Sequence, residues 1–202
     1  MAAKPAGVIL AGGRSRRMGN ADKALLSINN EPLLSRVIRI LQPQLGTLLL
    51  STESHSNKLQ SFGLPLVYDL LPNHRGPLTG LCSALQYLLE KGLHDGLVLC
   101  PCDAPFVPLD LVDKLTRAGE GNPESVVVVS YEGILQPTFS LWQNHHIPVI
   151  HDAVVKQGGG GLKYILRSLP HIIVEWVSAQ PPPFYNVNTR EELETAANWL
   201  AK

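Results

Sequence analysis

Short apolar runs recur at Gly7–Ala11, Thr47–Ser51, Leu64–Asp69 and Leu97–Cys100, and the stretches between them carry helical period. Pro32 stands where a first helical residue belongs, and Leu33, Leu34, Val37, Ile38 and Leu41 follow at helical spacing up to Pro43. A second helix is predicted over Leu78–Lys91, ending at Gly92, and a third over Leu109–Ala118, ending at Gly119. Parallel strands need a long crossover, usually a helix. The alternation therefore predicts an α/β fold: a three-layer sandwich in which helices cover a mostly parallel, Rossmann-like sheet.

The rhythm changes after Val126. Strands are predicted at Val126–Ser130, Thr138–Leu141 and Ile172–Val177, with a turn near Glu132-Gly133, so this side of the sheet is expected to be a mixed or antiparallel edge. The glycines at 158–161 separate two helical segments and form a candidate flap. Pro181-Pro182-Pro183 is a stiff connector, and Thr189 with Glu192 three residues on is a capping box for a last helix. No linker or repeat divides the 202 residues, which predicts a single domain over 1–202.

Composition excludes several functions. Lys+Arg and Asp+Glu are both 17, so no bulk field favours nucleic acid or an anionic membrane. No apolar stretch approaches the length of a membrane span, and too few residues precede the first strand for a signal peptide, so a cytoplasmic location is expected. Cys82, Cys100 and Cys102 give no even disulfide framework, and Cys100-Pro101-Cys102 lacks both C-x-x-C spacing and a second pair. They read as small buried hydrophobes. His145, His146 and His151 lack the H-E-x-x-H arrangement of a zinc helix.

Against this neutral background, residues 10–23 stand out: L-A-G-G-R-S-R-R-M-G-N-A-D-K. Glycines let backbone N–H groups approach an oxyanion, and Arg14, Arg16, Arg17 and Lys23 supply four cations in one loop. The spacing is not G-x-x-x-x-G-K-[ST], nor G-x-G-x-x-G. Ligands of open α/β sheets sit at the carboxyl ends of strands. Three further polar features fall at such ends or at a helix entry: Asp69, Asp103 and Asn186-Val187-Asn188. Each alone reads equally as turn or cap chemistry. Together they outline a cleft for a polyphosphate. Fixed cations stabilise a departing pyrophosphate, and an aspartate on the opposite wall would hold Mg²⁺.

The segment L-A-G-G-x-x-x-R-M-G-x-x-D-K resembles the signature of the molybdenum cofactor guanylyltransferases, the MobA family. Later matches keep the family's order: Asp69, Gly76-Pro77-Leu78-x-Gly80, Cys100-Pro101-Cys102-Asp103-x-Pro105, Gln136-Pro137 and Asn186-Val187-Asn188-Thr189. The resemblance spans nearly the whole chain and implies a nucleotide-diphospho-sugar-transferase-like fold. It implies a nucleotide-binding half of about residues 1–106 and an acceptor half of about 107–202.

It also implies a reaction, in which GTP and molybdenum-molybdopterin give molybdopterin guanine dinucleotide and pyrophosphate. By position, Leu10, Ala11, Gly12, Gly13, Lys23, Ser51, Asp69 and Asp103 would bind GTP, and Arg17, Lys23 and Asp103 would be catalytic. Asp103 would hold Mg²⁺. Gly76, Gly80, Asn186 and Asn188 would lie on the pterin side. Molybdopterin-insertion proteins and molybdoenzyme chaperones are the partners implied. Relatives often carry asparagine where this chain has Ser51, whose single hydroxyl reaches less far. Ala11-Gly12-Gly13, against L-A-A-G in the related cytidylyltransferases, favours guanine over cytosine. A cytidylyltransferase, a sugar-phosphate nucleotidyltransferase and a non-catalytic nucleotide carrier remain the alternatives.

Overall fold

Side chains of β1 (Ala6–Leu10) alternate between two cores: Val8 packs with one helical layer and Ile9 with the other. A strand read this way is covered on both faces, which is why it is apolar without interruption. The structure is a computed structural model describing residues 4–12, 14–15, 21–53, 57–70, 76–93, 96–157 and 161–201, with the side chains of 14, 15, 21, 22, 57, 156 and 157 outside the description. The expectations for Gly13, Arg16, Arg17 and the glycines at 158–160 therefore lie outside the described residues, as does that for the Arg14 side chain.

Among the described residues, seven strands form one sheet. With β1 they are β2 (Thr47–Thr52), β3 (Leu66–Tyr68), β4 (Gly96–Pro101), β5 (Val126–Tyr131), β6 (Ile134–Gln143) and β7 (His171–Trp176). Their order across the sheet is β7-β5-β6-β4-β1-β2-β3. The pairs β1–β2, β1–β4, β2–β3 and β5–β7 are parallel, and β6 runs against both β4 and β5.

The antiparallel strand is thus interior, and the edge beyond it is closed by a strand parallel to β5. The hairpin explains this. Glu132 and Gly133 turn at φ 52° and 74°, the double positive φ of a tight two-residue connection, so β6 must return beside β5. Its ladder breaks between Gln136 and Ser140, a stretch that contains Pro137, which has no N–H to donate.

Two helical layers cover the sheet. On one side α1 (Leu33–Leu41) and α4 (Leu111–Gly119) bury Leu34, Val37, Leu111 and Leu115. On the other, α3 (Pro77–Glu90), α5 (Ile147–Gln157) and the short α6 (Leu162–Leu166) bury Leu81, Leu85, Ile150 and Ile165. A short α2 (Asn57–Gln60) precedes β3. The crossovers out of β1 and out of β3 use opposite faces, and the strand order reverses between β1 and β4. That reversal is where such a sheet opens a crevice at its carboxyl edge. No helix among the described residues is long and apolar enough to cross a membrane.

The last helix, α7 (Arg190–Leu200), lies outside these layers. Ala196 packs with Ile28, Leu33 and Val187 in a third small core. Trp199 meets Phe106 and Tyr185 edge-on, at centroid separations of 5.7 and 4.9 Å. This packing brings the segment before α7 back to the residues that follow β1.

Close approach of α3 to the sheet fixes one glycine. A Cβ on Gly80 would stand 2.5 Å from Ser51 Oγ and 2.8 Å from Leu10 Cδ2. Gly80→Ala is expected to destabilise the protein by about 1–3 kcal/mol, the usual cost of overpacking, as measured by urea unfolding. Unchanged stability would mean that α3 can back away freely.

Candidate active site

Lys23 opens a 3-10 turn, Lys23–Leu25, whose Ala24 is fully buried. The hairpin Ser27–Ile28/Glu31–Pro32 follows, turned through Asn29 and Asn30 at φ 50° and 65°. Asparagine tolerates this left-handed region better than most residues. The Leu33 N–H donates to the Leu26 carbonyl at 2.7 Å, which ties the turn to the start of α1. Lys23 is held on a braced segment.

Asp103 lies just past β4. The Cys102 N–H donates to the Leu10 carbonyl at 3.2 Å, which extends the β1–β4 pairing by one bond. The Asp103 carbonyl then accepts the Val187 N–H at 2.8 Å. This bond draws Asn186 and Asn188 to the same edge.

The result is a compact polar cluster. Lys23 Nζ lies 3.1 Å from Asp103 Oδ2 and donates to Asn188 Oδ1 at 2.5 Å. The Asn188 amide in turn donates from Nδ2 to the Asn186 carbonyl at 3.3 Å. Glu192 holds the backbone beneath: its Oε2 accepts the Asn188 N–H at 2.6 Å and the Thr189 N–H at 2.9 Å. Thr189 Oγ1 completes the capping box by accepting the Glu192 N–H at 3.2 Å.

Burial pushes the Asp103 carboxyl above its ordinary range, the Lys23 ammonium pulls it back by charge and hydrogen bond, and Glu192 adds a push upward. A carboxylate only 8% exposed needs a cation to stay ionised. The donors here are hard oxygens: the Asp103 carboxylate and the amide oxygens of Asn186 and Asn188. Asn186 Oδ1 is buried with no hydrogen-bond partner. One carboxylate with neutral oxygens suits Mg²⁺, which completes its shell with water and phosphate. It does not suit a caged structural metal, and no group of three or more His, Cys, Asp or Glu that could hold an ion occurs among the described residues.

A cleft of about 310 Å³ opens on the same sheet edge, lined by Leu10, Gly12, Ser51, Glu53, Asp69, Gly76, Pro77 and Gly80. Ala11 is buried beside it, its N–H donating to the Ser51 carbonyl at 2.8 Å. Gly76 enters α3 at φ 127°, where a side chain would be strained, and Pro77 takes the first helical position. Asp69 follows β3 and its carboxyl is pushed up to about 6, by burial first and by the Glu53 carboxylate second. Two larger surface hollows, beside α1 and between α3 and α5, contain none of the candidate residues.

The residues singled out from sequence thus gather in two places on one edge. Lys23, Asp103, Asn186 and Asn188 form the polar cluster, and Leu10, Gly12, Ser51 and Asp69 line the cleft. Gly76 and Gly80 stand with the cleft group and not with Asn186 and Asn188, because they start the helix that forms its wall. Glu53 escaped the sequence reading, as did the Asn188 N–H that Glu192 accepts beyond its predicted capping box. Glu53 follows the last residue of β2, so strand period gives no signal for it. The three cysteines are free and buried, and burial raises the thiol pKa of Cys82 and Cys100, which suits inert packing. His146 joins the Gln143 N–H to the Glu124 carbonyl, a structural bridge.

Comparison with known proteins fits this geometry. The family model described as MobA-like NTP transferase domain matches residues 7–173. The chain belongs to that family. It is 34% identical to the molybdenum cofactor guanylyltransferase of Mesorhizobium japonicum over 198 residues, 96% of this chain and 95% of that protein. It is 34% identical to the protein of the same name from Cupriavidus pinatubonensis, with 94% of each chain covered. Among solved structures, molybdopterin-guanine dinucleotide biosynthesis protein A from Archaeoglobus fulgidus superposes with a TM-score of 0.81 at 19% identity, over 97% of this chain and 98% of that one. A 4-diphosphocytidyl-2C-methyl-D-erythritol synthase superposes at 0.74 with 11% identity, covering 99% of each chain. The fold is that of nucleotide-diphospho-sugar transferases, and the chain is a nucleotidyltransferase.

Two outcomes follow from the electrostatics and the cap. Between 3.8 and about 6 the folded chain binds more protons at Asp69 than the unfolded chain does. The stability this lends is fully present below 3.8 and is lost as pH rises through about 6. Asp69→Asn should flatten that part of the Tm–pH profile, and an identical slope in the variant would refute the assignment. Glu192→Ala should cost about 1 kcal/mol of stability through the lost cap. It should also lower turnover more than that loss predicts, because Asn188 is released from beside Lys23. Restoration by Glu192→Gln of stability but not turnover would show that the charge matters as well as the cap.

Proposed function

We propose that this enzyme transfers GMP from GTP to the terminal phosphate of molybdenum-molybdopterin, forming molybdopterin guanine dinucleotide and pyrophosphate. The observation that carries the reading is the Lys23–Asp103–Asn188 cluster at the carboxyl edge, beside a cleft that suits the rest of a nucleotide. The shared name of relatives aligned over nearly their full length supports the choice of substrate.

The reaction needs a phosphate oxygen of the pterin to attack the α-phosphorus of GTP. A new P–O bond forms, the bond from that phosphorus to the β-phosphate bridge breaks, and pyrophosphate leaves with the electron pair. Such displacement rests on positioning and charge neutralisation. In the free enzyme the Lys23 ammonium pairs with the buried Asp103 carboxylate and offsets the burial that works against its charge. A triphosphate competes for the Lys23 ammonium, which then donates to phosphate oxygens. Asp103 would then hold Mg²⁺, with the amide oxygens of Asn186 and Asn188 as further neutral oxygens. When bound, the ion neutralises phosphate oxygens and lowers repulsion against an anionic nucleophile.

The backbone of Leu10, Ala11, Gly12 and Gly13 would meet the nucleotide, and Asp69 its base. Gly76 and Gly80 form the cleft wall, and Arg17 would steady the departing pyrophosphate. The acceptor would enter from the half formed by residues beyond about 107. Arg17 and Gly13 lie outside the described residues and enter by family resemblance alone.

The purified protein with Mg²⁺, molybdopterin and each nucleoside triphosphate in turn should release pyrophosphate with GTP. Release with CTP instead would make it a cytidylyltransferase, and GTP binding without release would make it a carrier. Asp103→Asn, matched in shape, should lower kcat on the order of a hundredfold or more with the fold retained. Near-normal turnover in that variant would remove Asp103 from the mechanism.

A further inference from the structure

We propose that Glu53 determines nucleobase specificity: its carboxylate accepts a hydrogen bond from the 2-amino group of guanine, and that of Asp69 in the same cleft accepts from the adjacent ring N–H. The inference rests on the guanylyl-transfer reading and names a residue that reading does not use.

Ser51 lies in β2 and Glu53 just past its end, and both line the cleft. Their situations differ. Ser51 is 3% exposed, and its Oγ is so near Gly80 that a Cβ there would stand 2.5 Å away. The serine is packed beneath α3. Glu53 is exposed at the mouth of the cleft, and its Cγ would lie 3.3 Å from a Cβ on Gly12. Its stem therefore runs over the glycine backbone, and its head joins the lining of the cleft with Asp69. The two carboxylates are close enough for the charge of Glu53 to help raise the pKa of Asp69. Phosphates belong at the other part of the site, with Lys23. A nucleotide so oriented presents its base to the acidic end.

Ionised carboxylates only accept. Guanine offers two neighbouring donors on its pairing edge. Adenine and cytosine each set an acceptor ring nitrogen beside their amino group, and that nitrogen would face a carboxylate without a proton between them. Such a mismatch discriminates strongly, because a site group is left unpaired. Hypoxanthine isolates one contact: it keeps the ring N–H and lacks the 2-amino group.

The test compares kcat/KM for GTP and inosine triphosphate, with Mg²⁺ and molybdopterin, in the unaltered protein and in Glu53→Ala and Glu53→Gln. The unaltered protein should prefer GTP by on the order of ten- to a hundredfold, the range for a hydrogen bond to a charged group. Glu53→Ala should bring the ratio near unity mainly by losing GTP efficiency, and Glu53→Gln, which keeps one acceptor, should fall between. An unchanged ratio in Glu53→Ala overturns the proposal while leaving guanylyl transfer intact. If the unaltered protein turns over neither nucleotide, guanylyl transfer itself fails. Calorimetric binding of the two nucleotides then supplies the same ratio, and equal affinities, or no binding of either, overturn the role of Glu53.

Discussion

A buried carboxylate and a lysine from distant parts of the chain neutralise each other at the mouth of the sheet, and the local architecture is arranged around that contact. Lys23 comes from the first crossover and Asp103 from the end of β4. Asn188, which accepts from the same ammonium, comes from the approach to the last helix. The Asp103 charge depends on that partner, since burial works against it and the Lys23 ammonium is the largest influence offsetting it. The backbone bonds Cys102 to Leu10 and Val187 to Asp103 hold the three segments in place, so the electrostatic contact rests on a rigid base. A carboxylate that needs its cation before a ligand arrives is also poised to exchange partners when a polyanion and a cation come together.

The site carries charge of both signs at separate positions. One end holds the Lys23 ammonium, paired with the Asp103 carboxylate beside amide groups, and the other holds two carboxylates against a glycine-lined wall. A nucleoside triphosphate has the complementary polarity along its length, with an anionic tail and a base edge that can donate. Charge separation of this kind sets the direction in which a ligand lies as well as how tightly it is held.

Much of the fold was legible because its strands are covered twice. β1, β2, β4 and β5 read as apolar runs, and α1 and α3 read by period and by the prolines and glycines at their ends. The place of β6 was not legible. Periodicity identifies a strand without saying which neighbours it takes, and the interior position of this one depends on the two-residue turn at Glu132 and Gly133. In the site, Asp69, Asp103 and Asn188 could be found because each ends a strand or enters a helix. Ser51 was found by resemblance, yet its packing under Gly80 was invisible, because the approach of α3 is a tertiary fact. Glu53 left no mark of its own, being a single acidic residue past a strand end.

The last helix links the reactive edge to the third, small core. Val187 and Ala196 pack with Ile28 and Leu33, and Val187 stands between Asn186 and Asn188. The Val187 N–H also donates to the Asp103 carbonyl. A loosened side chain in that small core therefore has a short backbone path to the groups around Lys23.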